Sequence, residues 1–372
     1  MKIVVFGPGH PFRGGIPRAT TSTVEALVGA GHEVRFLSAV AQYPRLLFPG
    51  RDDRDPEACP PVSGAEPLLG PLAPTTWPRA RRRALEIGAD AWLLPYWTWV
   101  WAGAWRFLLA AGRRPPVIGV VHNPADHGAG RLQRLVARGV LSRCDGLFTH
   151  AERLRESLTA DYPGVPTGAH PLPAEPPAPL PDRSRARARL GLGDHHRVAL
   201  FLGIVRPYKG VDLLLEALAL LGPDADWRLV VAGEPWGGLG RALERQASEL
   251  GLGDRVQLRF GWVPEDELPW LLSAADVVVL PYRSGSQSAV APIALAHGRP
   301  VVSTTVGGLA EVVEHEVSGL LAPPGSATDL AEALRHLDRE RLSRLAEGAR
   351  AAAARITWEG YARALSSLLG AV

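Results

Sequence analysis

Short hydrophobic runs alternate along the chain with longer segments in which apolar residues recur at helical spacing. Such a pattern is typical of strands that alternate with helices. In the first half it predicts helices at 17–29 and 132–141, and a Pro/Gly-rich passage at 60–78 predicts a long loop. The strands predicted there are 2–7, 33–38, 91–94, 117–121 and 146–149.

The same alternation restarts after segment 171–182, which holds six prolines in twelve positions and predicts a semi-rigid linker. The stretch 350–369 is predicted to be helical. The other predicted strands are 198–202, 228–232, 255–260, 276–280 and 300–304, and the other predicted helices are 211–221, 238–250, 266–274, 288–297 and 327–337. The sequence therefore predicts an α/β fold of two tandem Rossmann-like domains, 1–170 and 183–354, with ligands at the carboxyl ends of parallel strands.

Composition and charge narrow the function classes. With 372 residues, of which 46% are hydrophobic and 21% charged, the chain is ordinary for a soluble two-domain protein. Its 41 basic and 38 acidic residues nearly balance, which argues against nucleic acid as a partner. The arginine clusters at 79–83 and 183–189 are predicted to be solvated helix faces. Cys59 and Cys144, the only cysteines, have no metal-ligand spacing and argue against a secreted disulfide scaffold.

The chain shows no signal-peptide layout after Met1 and no apolar run of the roughly 18 residues that a membrane span needs, so a cytoplasmic location is expected. Segment 91–109 is unusually rich in tryptophan. Two interpretations stay open, internal packing or an interfacial patch for peripheral membrane association. The tryptophans are Trp92, Trp97, Trp99, Trp101 and Trp105.

A basic loop follows the strand predicted at 198–202. It carries Arg206 and Lys209, and Gly210 then opens a helix. A guanidinium, an ammonium and the N-terminus of a helix all favour anions, so their convergence predicts a site for two adjacent phosphates. The alternative is a solvated loop that happens to be basic.

Two further loops are suited to phosphate. Ser286, Gln287 and Ser288 open the helix predicted at 288–297, where hydroxyls, a carboxamide and helix N–H groups can bind phosphate oxygens. Gly14 and Gly15 precede the first helix and let backbone N–H groups come close to a ligand. A nicotinamide site is disfavoured, because Phe12 occupies the third glycine position of the dinucleotide fingerprint.

The segment with Arg206, Lys209 and Gly210, together with the run VGGLAEVVEHEVSGLLAPPG at 306–325, resembles retaining nucleotide-sugar glycosyltransferases of family 4. That resemblance implies the GT-B fold, with a final helix at 355–372 that packs back on the first domain. It also implies that the donor diphosphate binds to Gly14, Gly15, Arg206, Lys209, Ser286, Gln287 and Ser288.

Further roles are implied by the same resemblance. His122 follows the strand predicted at 117–121, where the family has a histidine beside the reacting sugar, and Asn123 and Glu311 are expected near the sugar or the acceptor. Arg206 and Lys209 join His122 as the expected catalytic set. The nucleotide base and ribose are expected at Gly233, Glu234, Trp262 and Val263, and Asp126 and His127 are additional polar candidates.

One departure from the family pattern concerns two glutamates separated by seven residues. Gly285 and Ile293 occupy these positions, so ribose recognition cannot be transferred from the family. A subset of bacterial relatives is similar to this chain, with a Ser-Gln-Ser loop in place of the first glutamate.

The expected function is metal-independent and cofactor-independent transfer of a hexosyl group from a GDP- or UDP-sugar to a glycan, lipid-linked or small-molecule acceptor. The pairs Asp53/Asp55 and Asp224/Asp226 lie in loop-like sequence and are interpreted as solvated acids rather than metal ligands. Three alternatives remain: a non-catalytic subunit that binds sugar nucleotides or glycans, a nucleotide-sugar epimerase, and a Rossmann oxidoreductase.

Overall fold

The computed structural model describes residues 1–43, 53–54, 62–110, 112–124 and 130–372. Asp55, Cys59, Asp126 and His127 lie outside the described residues. The chain forms two compact units, one made of Met1–Leu172 and Trp358–Val372 and the other of Pro173–Thr357.

The first unit is built on a seven-stranded parallel sheet in the order β3-β2-β1-β4-β5-β6-β7. Its strands are β1 (Lys2–Gly7), β2 (Glu33–Ala39), β3 (Glu66–Leu69), β4 (Ala91–Tyr96), β5 (Val117–Val121), β6 (Gly146–Thr149) and β7 (Thr167–Ala169). The helices up to Leu172 are α1 (Gly15–Gly29), α2 (Trp77–Ile87), α3 (Ala102–Leu108), α4 (Arg131–Leu141) and α5 (Glu152–Asp161).

The second unit has a six-stranded parallel sheet in the order β10-β9-β8-β11-β12-β13. Its strands are β8 (Arg197–Leu202), β9 (Trp227–Gly233), β10 (Val256–Phe260), β11 (Val277–Leu280), β12 (Val301–Thr304) and β13 (Gly319–Ala322). Its helices are α6 (Arg183–Arg189), α7 (Val211–Leu220), α8 (Leu239–Glu249), α9 (Leu268–Ala274), α10 (Val290–Ala296), α11 (Leu309–Val312), α12 (Ala327–Arg335) and α13 (Arg339–Arg355). The predicted fold class, two Rossmann-like domains with parallel sheets, is confirmed.

The last helix, α14 (Trp358–Leu369), belongs to the first unit, where it contacts α1, β6 and β7. Tyr361 and Leu365 are fully buried there beside Phe148. The predicted packing of a final helix on the first domain is confirmed. The helical stretch predicted at 350–369 is interrupted, because the chain leaves the helical conformation at Ile356 (φ −106°, ψ 89°). Ile356 and Thr357 are both β-branched and favour extended backbone where the chain passes from one unit to the other.

The predicted long loop at 60–78 is also wrong in part. Within it, Glu66–Leu69 forms β3 and Trp77 begins α2. Pro67 is tolerated in β3 because this strand lies at the edge of the sheet, where one side needs no ladder hydrogen bonds.

The tryptophan-rich segment packs the core of the first unit. Four of its five tryptophans are at most 4% exposed, and only Trp99, at 46%, faces solvent. The indole N–H of Trp97 donates to the Tyr43 hydroxyl at 2.9 Å, and that of Trp101 donates to the Gln42 carbonyl at 3.0 Å. The interpretation as an interfacial tryptophan patch is therefore wrong. Among the described helices, none is long and apolar enough to cross a membrane.

Arg187 corrects the prediction that 183–189 is a wholly solvated face. Its guanidinium is completely buried and donates to Asp276 at 2.7 Å and to the carbonyls of Asp194 and His196 at 2.9 Å each. Asp276 also accepts from the N–H of Val198 at 2.7 Å. Burial lowers the pKa of Arg187, and Asp276 opposes that effect. This network ties α6 to the starts of β8 and β11.

Candidate functional site

The carboxyl end of β8 carries the two cations predicted to bind phosphate. After Gly203 the chain forms a 3-10 turn, Pro207–Lys209, and then enters α7. The Lys209 ammonium lies 5.5 Å from the centre of the Tyr282 ring. Gly203 has φ +109°, and a Cβ there would be in ordinary contact with this ammonium at 3.4 Å, so the backbone conformation rather than lack of space favours glycine. Burial, together with the charge of Arg206, lowers the pKa of Lys209 to about 8.

Arg206 is oriented by an aromatic ring. Its guanidinium carbon lies 4.1 Å from the centre of the Trp236 ring, which is close enough for a stacked cation–π contact. The loops after β8 and β9 are joined by backbone hydrogen bonds, from Val205 to Glu234 at 2.8 Å and from Trp236 to Val205 at 2.9 Å. Because of this pairing, Trp236 is held beside the basic loop.

Neither Arg206 nor Lys209 forms an ion pair with a carboxylate in the described part of the chain. The neighbouring Arg283, in contrast, is paired with both oxygens of Asp212 at 2.7 Å. Arg206 and Arg283 line a cavity of about 610 Å³ beside α7 and α8. Two close cations, one of them desolvated, without a carboxylate partner are expected to attract an anion.

The loop after β11 lies against the same lysine through Tyr282. The Tyr282 hydroxyl is 3.3 Å from the Ser288 hydroxyl, which in turn accepts from the N–H of Val290 at 3.2 Å. Burial raises the pKa of Tyr282, so the phenol stays neutral. Sequence analysis missed Tyr282, although its position two residues after a buried strand was an available signal.

The loops after β11 and β12 approach each other closely. Gly307 has φ +51°, and a Cβ there would lie 2.2 Å from the carbonyl oxygen of Gly285. The N–H of Gly308 donates to the Ser286 carbonyl at 2.8 Å. Glu311 follows in the first turn of α11, so the structure brings the serine-rich loop and the Gly307–Gly308 turn together.

The residues expected to bind the base and the ribose are divided between two loops. Trp262 and Val263 line a cavity of about 520 Å³ beyond β10, together with Glu267. Gly233 packs against the β8 loop instead: its φ is +152°, and a Cβ would lie 2.0 Å from the Gly203 carbonyl oxygen. Glu234 follows it and contributes its carbonyl to the same pairing. Ile293 packs against the core of the second unit.

The first unit presents its own candidates at the carboxyl edge of its sheet. His122 directly follows β5 and is only 3% exposed. Its backbone N–H donates to the Tyr96 carbonyl at 2.8 Å, and Asn123 is the next residue in the chain. Burial lowers the pKa of His122 to about 4, so the imidazole is neutral at pH 7. Gly14 has φ +112° before α1, and a Cβ on Gly15 would meet open space.

The acidic residues and the cysteine in the described ranges do not form a metal site. No three side chains of His, Cys, Asp or Glu there are placed to hold a metal ion. Asp226 is paired with Arg197 at 2.7 Å. Cys144 is buried, which raises its thiol pKa to about 12 and leaves it unreactive.

Two family models match the chain. The model for Glycosyltransferase Family 4 matches residues 13–172, and the model for Glycosyl transferases group 1 matches residues 196–340. A D-inositol 3-phosphate glycosyltransferase from Thermobispora bispora is 40% identical over 52% of this chain and 46% of its own length. A protein of the same name from Corynebacterium glutamicum is 30% identical over 76% of this chain and 71% of its own length. The chain thus spans about half the length of the first of these relatives.

Solved structures share the fold at low identity. Sucrose-phosphate synthase from Thermosynechococcus elongatus aligns with a TM-score of 0.78 and 22% identity, over 99% of this chain and 98% of that one. Anabaena HepE, solved in complex with UDP-glucose, aligns with a TM-score of 0.77 and 19% identity over 100% of both chains.

Proposed function

Because the chain belongs to glycosyltransferase family 4, we propose that it transfers a hexosyl group from a nucleotide-diphosphate sugar to an acceptor hydroxyl with retention of anomeric configuration. The GT-B fold of the family is the fold observed. The observation that carries the proposal is the pair Arg206 and Lys209, two cations at the carboxyl end of β8 with no carboxylate partner among the described residues.

These cations suit the chemistry of the leaving group. When the bond between the sugar and the diphosphate breaks, negative charge grows on the phosphate oxygens. A preorganised guanidinium and a desolvated ammonium stabilise that charge without a metal ion. The Ser288 hydroxyl and the backbone of the Gly307–Gly308 turn lie nearby to bind further oxygens. Retention is inferred from the family resemblance.

His122 serves the sugar side of the reaction in this proposal. A neutral imidazole both donates and accepts hydrogen bonds, so it orients a sugar or acceptor hydroxyl without attracting a second anion. Asn123 and Glu311 are assigned to the surroundings of the donor sugar and the acceptor, and Gly14 and Gly15 to the donor diphosphate. The base and ribose are assigned to Trp262 and Val263, with Gly233 and Glu234 as their neighbours.

The names of the relatives supply the donor and acceptor classes that we propose to test first. HepE is solved with UDP-glucose, and several relatives are named for D-inositol 3-phosphate, so a UDP-hexose and a phosphorylated polyol are the first pair to test. GDP-sugars and glycan or lipid-linked acceptors remain the other choices.

The test begins with calorimetric titration of UDP, GDP and ADP into the purified protein, followed by transfer assays with the sugar conjugate of the nucleotide that binds. We expect one diphosphate to bind and one conjugate to give a glycoside whose anomeric configuration, read by NMR, matches the donor. Arg206→Ala and Lys209→Ala should each weaken diphosphate binding by about 10-fold to 150-fold, equivalent to about 1.5–3 kcal/mol. Unchanged affinity in both variants would exclude the phosphate assignment.

A second candidate function is a non-catalytic subunit that binds sugar nucleotides. It is favoured by the replacement of both family glutamates by Gly285 and Ile293, the latter packed against the core. Tight donor binding without transfer to any acceptor and without donor hydrolysis would support it over the enzyme.

A further inference from the structure

Three adjacent strands of the first unit each end in a histidine. His122 follows β5, His150 follows β6 and His170 follows β7. Since the strands are parallel and neighbouring, all three histidines lie at the carboxyl edge of the sheet, where the sugar-side site is proposed. Neither His150 nor His170 is part of the proposed catalytic set.

His150 packs directly on His122. Their ring centres are 4.6 Å apart, and His150 is only 3% exposed. Both ring nitrogens of His150 are buried, and the polar group that acts on them is the backbone of His170, so the side chain is held mainly by its ring contacts. Burial lowers the pKa of both histidines, and the two neutral rings meet at an interplanar angle of 40°.

His150 also contacts the C-terminal helix. The Tyr361 ring of α14 lies 5.8 Å from the His150 ring with an interplanar angle of 15°, a stacked arrangement. Tyr361 is itself fixed: it is completely buried, and its hydroxyl lies 3.3 Å from that of Thr23 in α1. Thr23 donates in turn to the Ala19 carbonyl at 2.7 Å.

We propose that His150 is a positioning residue, whose ring, in contact with both His122 and Tyr361, fixes the orientation of His122 at the edge of the sheet. Helix α14 then contributes to the sugar-side site although it follows the whole second unit in sequence. This inference rests on the proposed function in so far as His122 contacts the sugar. The contacts that it needs all lie within the first unit.

The kinetic test compares His150→Ala with His150→Phe. The alanine variant removes the stack, so kcat should fall about 10-fold to 100-fold, because a small misplacement of a reacting group has that effect. The KM for the donor should change by less than about twofold, because the charged phosphate contacts, Arg206 and Lys209, lie in the second unit. His150→Phe restores an aromatic ring and should recover most of kcat. Wild-type kcat in the alanine variant, or equal losses in both variants, would overturn the proposal.

The matched control is His32→Ala. It also removes a histidine that contacts α14, through Ser366 at 2.9 Å, but it leaves the stack intact. If α14 merely stabilises the first unit, His32→Ala and His150→Ala should impair kcat alike, and the proposal is wrong.

An assay independent of activity separates this inference from the proposed function. The ring signal of His122 is followed by NMR in protein labelled at histidine and assigned with His122→Asn. It should shift in His150→Ala and stay close to the wild-type position in His150→Phe. A signal that does not move in His150→Ala would overturn the positioning role. If the wild-type protein transfers no sugar, the proposed function is wrong, and the NMR result alone decides whether His150 positions His122.

Discussion

Lys209 makes diphosphate binding depend on pH. Burial beside Arg206 lowers its pKa to about 8, and only the ammonium form attracts phosphate. Affinity for the nucleotide diphosphate should therefore be full below pH 8 and fall as the pH rises through 8, approaching tenfold for each further pH unit. Calorimetric titrations between pH 7 and pH 10 measure this decline.

The control for this prediction is Lys209→Arg, since a guanidinium stays charged over the whole range. Its affinity, whatever its absolute value, should not fall between pH 8 and pH 10. A decline of the same slope in both proteins would assign the titration to another group and remove Lys209 from the phosphate site.

Gly307 sets the distance between two loops of the candidate site. With φ +51° and a Cβ position 2.2 Å from the Gly285 carbonyl oxygen, Gly307→Ala must push the β11 and β12 loops apart. We expect diphosphate affinity to fall by about tenfold or more, because the Ser286–Ser288 loop moves away from Tyr282 and Lys209.

Gly325→Ala provides the comparison for Gly307→Ala. Gly325 also has a positive φ, +83°, but a Cβ there meets no atom within 4 Å. Gly325→Ala therefore introduces backbone strain without a steric clash, and it should leave the affinity for the nucleotide diphosphate unchanged. Similar affinities in the two variants would show that the contact between the loops does not shape the site.

At the scale of single residues, the sequence could predict which side chains follow a strand. It could not predict which aromatic rings contact each other or the two cations. Arg206 and Lys209 were found because a strand, a basic loop and a helix start are consecutive in the chain. Trp236, Tyr282 and His150 were not, because their contacts join loops that are far apart in sequence. Pairings of this kind arise from packing, which a local pattern does not record.

Among the elements, α6 is attached to the second unit by the buried Arg187 and by Ala186, which packs in the core. Replacing Arg187 with methionine keeps much of its apolar stem. It removes the donor to the carbonyls of Asp194 and His196 and leaves Asp276 only Arg183 and the N–H of Val198. The free energy of unfolding of the second unit should fall by about 3–5 kcal/mol, as when one partner of a buried ion pair is removed. Urea denaturation followed by tryptophan fluorescence measures the change.

Arg185, on the same helix, is exposed and is the matched control for Arg187. Arg185→Met should change the free energy of unfolding by less than about 0.5 kcal/mol. If both variants were equally stable, the buried network would contribute nothing beyond packing.

Most strands were predicted, because a parallel strand buried on both faces is a continuous apolar run. Three strands escaped prediction, β3, β7 and β13; the last of these is an apolar run of only four residues. The edge strand β3 contains a proline and a glutamate, and β7 has three half-buried residues. The break between α13 and α14 lies inside a stretch with helical periodicity on both sides. The β-branched Ile356 and Thr357 favour it locally, and the assignment of the two helices to different units requires it.

At the scale of the whole molecule, α14 stands out because it packs in the first unit although the chain reaches it only after the second unit. It follows the second unit in sequence, yet Tyr361, Leu365, Leu368 and Leu369 are buried in the first unit beside Phe148. A chain that ends at Thr357 lacks this layer, so the first unit should lose its cooperative unfolding transition and become sensitive to proteolysis.

The second unit should be unaffected by the same truncation. It has its own core around Phe201, Trp227 and Leu280, and Arg206 and Lys209 lie on its own sheet edge. Diphosphate affinity of the truncated chain should therefore stay within about threefold of the full chain, whereas sugar transfer is abolished. Leu365→Ala is the graded control: it should destabilise the first unit by about 2–5 kcal/mol and leave diphosphate affinity unchanged. If truncation removed diphosphate binding as well, the second unit would need the first in order to fold, and nucleotide recognition could not be assigned to its residues alone.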